Sequence, residues 1–514
     1  MKKQWINRGN FFSVALASFV LFSALPPAQA QDEPKVFVAF WFDTEDYILP
    51  EADDAAMRLA EMFTQRGVQA TFKIVGEKAR VLEERGREDV IAALSRNDIA
   101  YHSTFHSVHP TPSEYSRDLG WSEGVAEFIR REGPGLEILR RVFGVNASCY
   151  GQPGSSWTPQ SYAALRQWNI PLYLDVTDQV GLDQRPFWYG GVLNVLELGD
   201  CVMRTGWSNE EVKEACEKFD RVHERLIGGK GGIVSIYYHP CEFVHQQFWD
   251  GVNFSKGANP PRSEWKRPLM KSKEESEQAF HAFETFLDHI VKHPNVQLVT
   301  ARQIPSLYPD RAYSHSLTRE DLSAIARSFQ QKISFVSLNS EFKGIGETKP
   351  TSIQRAISAA EGLYALAWYL SHWEKSGPET IPLQFAFGPA SNAEEYIKDG
   401  SFRWERIKEA AGDYLQFLEK NKQMPSVAWV DGKPARPQDF AATLAWTVEQ
   451  LLTNREPPKS VTWLSGKMEA QKYVADDDPK LWGWVIFPPG FHAPRLMEIA
   501  KLQAWTLKPA ILRQ

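Results

Sequence analysis

The chain has 514 residues, 43% of them hydrophobic and 24% charged, with length for two or three domains. A formal net charge of −6 leaves no basic footprint, so nucleic acid is not an implied partner. The 18 tryptophans suit stacking on sugar rings, although cores and interfaces are expected to take most of them.

The first thirty residues read as a signal peptide. Lys2, Lys3 and Arg8 form a basic start, Phe11 to Leu25 an apolar run, and Ala28-Gln29-Ala30 a cleavage site before Gln31. The run is short for a membrane span, with an uncleaved anchor as the alternative. No later stretch has eighteen uninterrupted apolar residues. The expected product is exported, periplasmic or extracellular, and off the membrane after cleavage. Export permits disulfides. Cys149, Cys201, Cys216 and Cys241 allow three full pairings, and one bridge or none is equally open. Without CxxC spacing, a thiolate zinc site is not expected.

From residue 36 the pattern alternates. Val36 to Phe42 is a buried strand ending in Asp43-Thr44-Glu45-Asp46. A helix is predicted over Asp53 to Arg66, a strand over Ala70 to Gly76, a helix over Val90 to Leu94 and a strand over Asp98 to Tyr101. Tyr101 to Pro110 (YHSTFHSVHP) then carries three of the chain's 12 histidines. On a helical turn the spacing of His102 and His106 puts both rings on one face, where they can share a metal ion. A helix over Ser122 to Val142, interrupted at Gly133-Pro134-Gly135, precedes strand-like Ala147 to Tyr150 and a helix at Pro159 to Trp168. The strand Leu172 to Val176 leads to Asp175 and Asp178. Strand-like Val192 to Leu198, a helix Glu210 to Leu226 and the strand Ile233 to Tyr238, ending at His239-Pro240, follow. A helix Glu274 to Val291 and a strand Val296 to Thr300 close the series. Strands alternating with helices predict a parallel sheet or barrel, with polar residues at the strands' C-terminal ends.

Pro305 to Pro309 reads as a boundary. Beyond it, Glu361 to Trp368 matches Asp439 to Trp446, and Leu383, Phe385 and Gly388 match Val461, Trp463 and Gly466. This predicts a duplicated helix–loop–strand unit of the stacking or binding kind. Asp476-Asp477-Asp478 reads as a solvated loop.

The strand-end residues form a chemical set. Two histidines and a carboxylate suit zinc or its first-row neighbours, and a metal so held lowers the pKa of bound water to about 7. A free carboxylate can take the proton, and a separate histidine can protonate a leaving amine. Such a set suits hydrolysis of an amide or ester.

These motifs resemble, over roughly Pro34 to Tyr308, the polysaccharide deacetylase family (NodB-homology domain). Phe42 to Asp46 resembles its strand-end acidic motif, Ala70 to Gly76 its second strand, His102-Ser103-Thr104-Phe105-His106 its H-[ST]-x-x-H motif, and Ser235 to Pro240 its strand ending in histidine. The resemblance implies Asp43 as base, His102 and His106 as metal ligands, and His239 as acid. It also implies an aspartate that orients His239, here Asp175 with Asp178 as the second choice. Glu45 is favoured over Asp46 as the metal carboxylate, because an extended chain puts it on the same side as Asp43. The family's arginine that orients the base has no counterpart near Gln152. His109 is an extra in the family register, assigned to the loop. The loop Gly151 to Ser156 can offer a backbone N–H to an oxyanion.

The fold so implied is α/β. A distorted (β/α) barrel of the NodB-homology type covers 34–309, and a smaller α+β domain with the internal duplication, wall- or glycan-binding, covers 317–514. The signal peptide covers 1–30. The expected function is an exported hydrolase, dependent on zinc (or cobalt or nickel), that removes acetyl groups from N- or O-acetylated polysaccharide or peptidoglycan. The alternatives are a non-catalytic glycan-binding protein on the same scaffold and a C–N hydrolase acting on a non-sugar amide.

Overall fold

All nine residues of Val36–Thr44 are buried and form one strand, as expected of a β-branched and aromatic run covered on both faces. The computed structural model describes residues 34–342, 351–375 and 377–513, and the predicted signal segment lies outside them. Nine strands build the first half: β1 (Val36–Thr44), β2 (Thr71–Ile74), β3 (Asp98–Tyr101), β4 (Leu172–Asp175), β5 (Phe187–Tyr189), β6 (Val192–Leu196), β7 (Val202–Met203), β8 (Gly232–Tyr238) and β9 (Val296–Leu298). They run parallel in the order β7-β8-β1-β2-β3, with β9 alongside the start of β1. Tyr150 bridges Tyr101 of β3 to Tyr173 of β4. From there the arc continues through β6 to an antiparallel β5 and the short strand Lys508–Pro509. Among the described residues no pairing closes this arc, so the parallel sheet and its helices form a distorted, open (β/α) barrel.

The helix Trp121–Phe143 runs straight through Gly133-Pro134-Gly135, where an interruption was predicted. The residues missing a side chain here serve packing. A Cβ on Gly135 would lie 2.6 Å from the Thr104 hydroxyl and 2.8 Å from Thr104 Cα. Tyr101 and Thr104 hydroxyls donate to the carbonyls of Glu132 (2.6 Å) and Arg131 (2.8 Å), in the turn of the helix just before Pro134. The helix thereby buttresses the turn carrying His102 and His106. Gly135→Ala should cost about 1–3 kcal/mol, read by urea unfolding, because the added methyl must push that turn away.

Tyr308 belongs to the first core and Ala312 to a second. The second core is built on the helices Arg319–Gln331, Ala359–Ser371, Trp404–Asn421 and Pro437–Asn454 beside an antiparallel pair, Val336–Phe342 with Thr351–Ile357. The matched segments Glu361 to Trp368 and Asp439 to Trp446 lie on two of these helices. After them the units diverge, since Ser460–Thr462 forms a strand while Phe387 makes an isolated bridge to Gln423. The chain then returns to the first core through Val474, Leu481, Trp482, Phe487, Leu496 and Leu507. Buried Lys508 bonds Glu361 (2.7 Å) and Asp310 (2.9 Å), tying this tail to the second core. All four cysteines are free thiols.

Candidate active site and metal centre

Parallel strands deliver their C-terminal ends to one face, and the predicted residues meet there. Asp43 closes β1, His102 follows β3, Gly151 follows the Tyr150 bridge, Asp175 closes β4 and His239 follows β8. The His102–His106 segment is not helical. Ser103 (φ 66°) and His106 (φ 56°) turn it left-handed, and the Ser103 hydroxyl accepts from His106 N (3.1 Å). Carbonyls of Ser103 and Thr104 take the first amides of the helix Gly76–Glu84 (both 2.9 Å), while buried Glu132 accepts from Thr104 N (2.7 Å). The rings still converge, with centroids 5.0 Å apart.

Glu45, His102 and His106 form a buried set whose ligand atoms all lie within 4.8 Å of one another. Each is oriented from behind. Trp249 Nε1 donates to Glu45 Oε1 (3.0 Å), His102 Nδ1 bonds Gly151 O (3.0 Å), and His106 Nδ1 bonds Ser107 Oγ (2.6 Å). Glu45 Oε2 is left facing His106 Nε2 at 2.8 Å and His102 Nε2 at 3.8 Å. With Nδ1–H donated to Gly151 O, His102 turns a lone pair toward the Glu45 carboxylate. Two imidazoles and a carboxylate held by outer partners fit a borderline divalent ion. Burial raises Glu45, but His106 and His239 outweigh it and hold the carboxyl well below its usual range. Asp46 points elsewhere. Its Oδ1 accepts from Ile48 N (2.7 Å) and Leu49 N (3.3 Å), and burial pushes the acid up to about 6. It shapes the turn after β1 and is not among the converging donors. His109 is tied to Glu114 (2.8 Å), outside the set.

Two residues that the sequence reading did not assign complete the site. Lys73, wholly buried opposite Asp43 on β2, sits 2.9 Å from Asp43 Oδ1 and 2.8 Å from Asp175 Oδ2, and donates to Leu174 O (3.0 Å). It supplies the cation that the missing arginine left unaccounted for, and Gln152 instead donates to Val176 O (3.1 Å). Burial raises Asp43, yet His102, Lys73 and His239 bring it below the usual carboxylate range. Burial lifts Asp175 to about 6 against the pull of Lys73. The second residue is Glu242. The predicted partner of His239 was Asp175, with Asp178 second, but Asp175 faces Lys73 and Asp178 is exposed. His239 Nδ1 bonds Glu242 Oε1 at 2.6 Å, in the short turn just after β8, and Arg204 pairs with the same carboxylate. His239 Nε2 faces Asp43 Oδ2 (3.7 Å) and Glu45 Oε2 (3.9 Å). Burial takes His239 down to about 4, against the two acids.

The returning tail adds a wall. Trp484 packs edge-on against His106 (5.2 Å between centroids), and its Nε1 donates to buried Asp250 (2.7 Å). A side chain at Gly154 would strike the indole at 2.3 Å. A cavity of about 210 Å³ beside it is lined by Ser155, Asp178, Gln179, Leu481 and Trp484, among others. His239 is 15% exposed and meets Phe248 edge-on (5.0 Å), while His102 and Glu45 are 2% and 3% exposed.

No family model and no curated protein matches the chain. Among solved structures it is similar to a Mycobacterium smegmatis protein provisionally assigned as a polysaccharide deacetylase, at TM-score 0.36 and 14% identity over 55% of this chain and 93% of that one. It is similar to a peptidoglycan deacetylase of Bacillus subtilis at TM-score 0.27 and 14% identity, over 53% and 91%. It is also similar to an α-amylase of Thermotoga maritima at TM-score 0.34 and 10% identity, over 53% and 74%. Polysaccharide and peptidoglycan deacetylases are thus among the structures to which the chain is similar.

Proposed function

We propose that the chain is an exported, metal-dependent hydrolase that removes acetyl groups from N- or O-acetylated glycan. The observation that carries this reading is the separation of duties at one strand-end face. Glu45, His102 and His106 converge as a ligand set, while Asp43 and His239 stand beside them uncommitted to it.

Glu45, His102 and His106 would hold a divalent ion, which would supply Lewis acidity toward an acetyl carbonyl. Asp43, kept anionic by Lys73, takes the proton of the attacking water. The Glu242 carboxylate fixes the Nδ1–H tautomer of His239, leaving Nε2 with a lone pair toward Asp43. His239 then receives that proton and hands it to the leaving nitrogen or oxygen, with Glu242 stabilising the transient imidazolium. Gly151 N and Ser156 N are engaged by Tyr101 O (3.2 Å) and Pro153 O (2.9 Å) and Pro153 has no N–H, so an oxyanion donor from this loop would come from Gln152, Gly154 or Ser155.

The test is metal content beside acetate release from chitooligosaccharides and peptidoglycan, for wild type and His102→Ala. We expect about one equivalent of metal at this site and acetate release in the wild type, with both lost in the variant. A chain that binds metal at this site and releases no acetate from any acetylated glycan overturns the reading. The alternative, hydrolysis of a small non-sugar amide, is favoured by the near-complete burial of Glu45 and His102 and by Trp484 packed against His106.

A further inference from the structure

At the opposite end of the barrel a second group of metal-ligating side chains faces one point. Asp220 lies on the helix Asn209–Ile227, His289 lies in the last turn of the helix Lys273–Lys292, and His293 caps that helix. Asp220 Oδ1 is 2.6 Å from His289 Nε2 and 3.3 Å from His293 Nε2, and the three ligand atoms lie within 4.8 Å of one another. Just beyond His293, Val296 pairs with Val36 at the start of β1. The length of β1 up to Asp43, about 23 Å, therefore separates this group from the catalytic face.

The rings are held in place by more than this contact. The Pro294 carbonyl accepts from His223 Nε2 (2.9 Å) and lies 3.4 Å from His293 Nδ1. His223 packs on His293 with centroids 4.0 Å apart, and Phe219 lies against all three imidazoles. A carbonyl only accepts, so it draws the His293 proton to Nδ1. Nε2 then turns a lone pair toward the Asp220 carboxylate, which also accepts only. Either a second proton or a cation must lie between them. Two imidazole nitrogens and one carboxylate oxygen aimed at one point, with a carbonyl behind a ring, form the donor set that zinc, nickel and cobalt prefer. The side chains of Asp220, His289 and His293 are 41%, 33% and 18% exposed, so an ion can enter and water can complete its coordination.

We propose that Asp220, His289 and His293 bind a second divalent transition-metal ion, structural in role, that staples the helix Asn209–Ile227 to the end of the helix Lys273–Lys292. No group of the catalytic face contributes to it. Its loss leaves the acetyl-transfer residues untouched.

The experiment is zinc titration of the demetallated full chain in the His102→Ala background, where the catalytic set is disabled. Bound zinc is counted after gel filtration, and melting is followed with and without the ion. We expect about one equivalent retained and a zinc-dependent rise in Tm of about 3 °C. Both should vanish in His102→Ala/His289→Ala and in His102→Ala/His293→Ala. Absence of zinc from His102→Ala, or its full retention when His289 and His293 are both replaced, overturns the site. Should the double variants not fold, zinc-edge anomalous scattering from wild-type crystals decides it. A peak among the three side chains supports the site, and no peak there refutes it.

Discussion

Lys73→Met should destabilise the fold by about 3–5 kcal/mol at neutral pH and abolish acetate release. The ammonium is wholly buried between Asp43 and Asp175, at 2.9 and 2.8 Å, and over the Trp41 ring at 3.9 Å. Methionine fills the volume and keeps the contact with Trp41, but it strands two buried carboxylates without a cation. The pH dependence separates this cause from a packing defect. In the wild type Asp43 lies below its usual range, so its share of stability is present above the unfolded value and is lost as pH falls through the folded one. Asp175, up at about 6, works the other way, and its ionisation costs stability as pH rises through that value. Without Lys73 both acids lose a compensating charge and shift toward the neutral form, although His102 and His239 still pull on Asp43. The deficit should then be largest near pH 7.5 and shrink toward about pH 5, where protonation relieves the burial. Urea unfolding at the two pH values measures it. A deficit independent of pH would mean that Lys73 acts by packing alone.

Lys73 also marks where sequence reading reached its limit. Asp43, Glu45, His102, His106 and His239 were legible because each sits at or just beyond the end of a strand, in a short local motif. In Ala70 to Gly76 the lysine is the one charged residue of a buried strand. That was the available signal, since a cation there must meet an acid. Its partners, though, depend on barrel curvature, which brings β4 to the inner side of β1 and β2. Glu242 stands three residues after His239 in a turn whose shape the preceding proline sets, and a pattern search for a strand-end aspartate passes over it. Trp484 lies 378 positions beyond His106, and only the return of the chain to the first core brings the two together. The barrel itself was visible in the alternation of strand and helix. The tail was not, because boundary signals at Pro305 to Pro309 say where a core ends and nothing about which later segment rejoins it. The helix through Pro134 was misread for a related reason. Its break signals are local, whereas the contacts that pin the helix at this point come from Tyr101 and Thr104.

Asp43→Asn should lower kcat by about a thousandfold while leaving metal content and KM close to wild type. The amide keeps the shape and loses the base. If Asp43 were instead a ligand, metal would leave with the activity. His239→Ala should separate substrates by their leaving groups. An amine must be protonated as it departs, so hydrolysis of N-acetyl glycan should fall by about 10²–10³. A p-nitrophenolate leaves without a proton, so p-nitrophenyl acetate should lose less than about tenfold, and Glu242→Gln should follow the same pattern more weakly. Equal losses on both substrates would remove His239 from proton delivery. The pH profile adds a further constraint. With His239 taken down to about 4 by burial, and Asp43 and Glu45 below their usual range, none of these groups should limit kcat/KM near neutrality. The acid limb should fall near pH 4, where His239 Nε2 is already protonated and can no longer accept the proton from Asp43. An acid limb at 6 or above would mean that His239 works as a preformed imidazolium, and Asp43 would then have to pass its proton elsewhere.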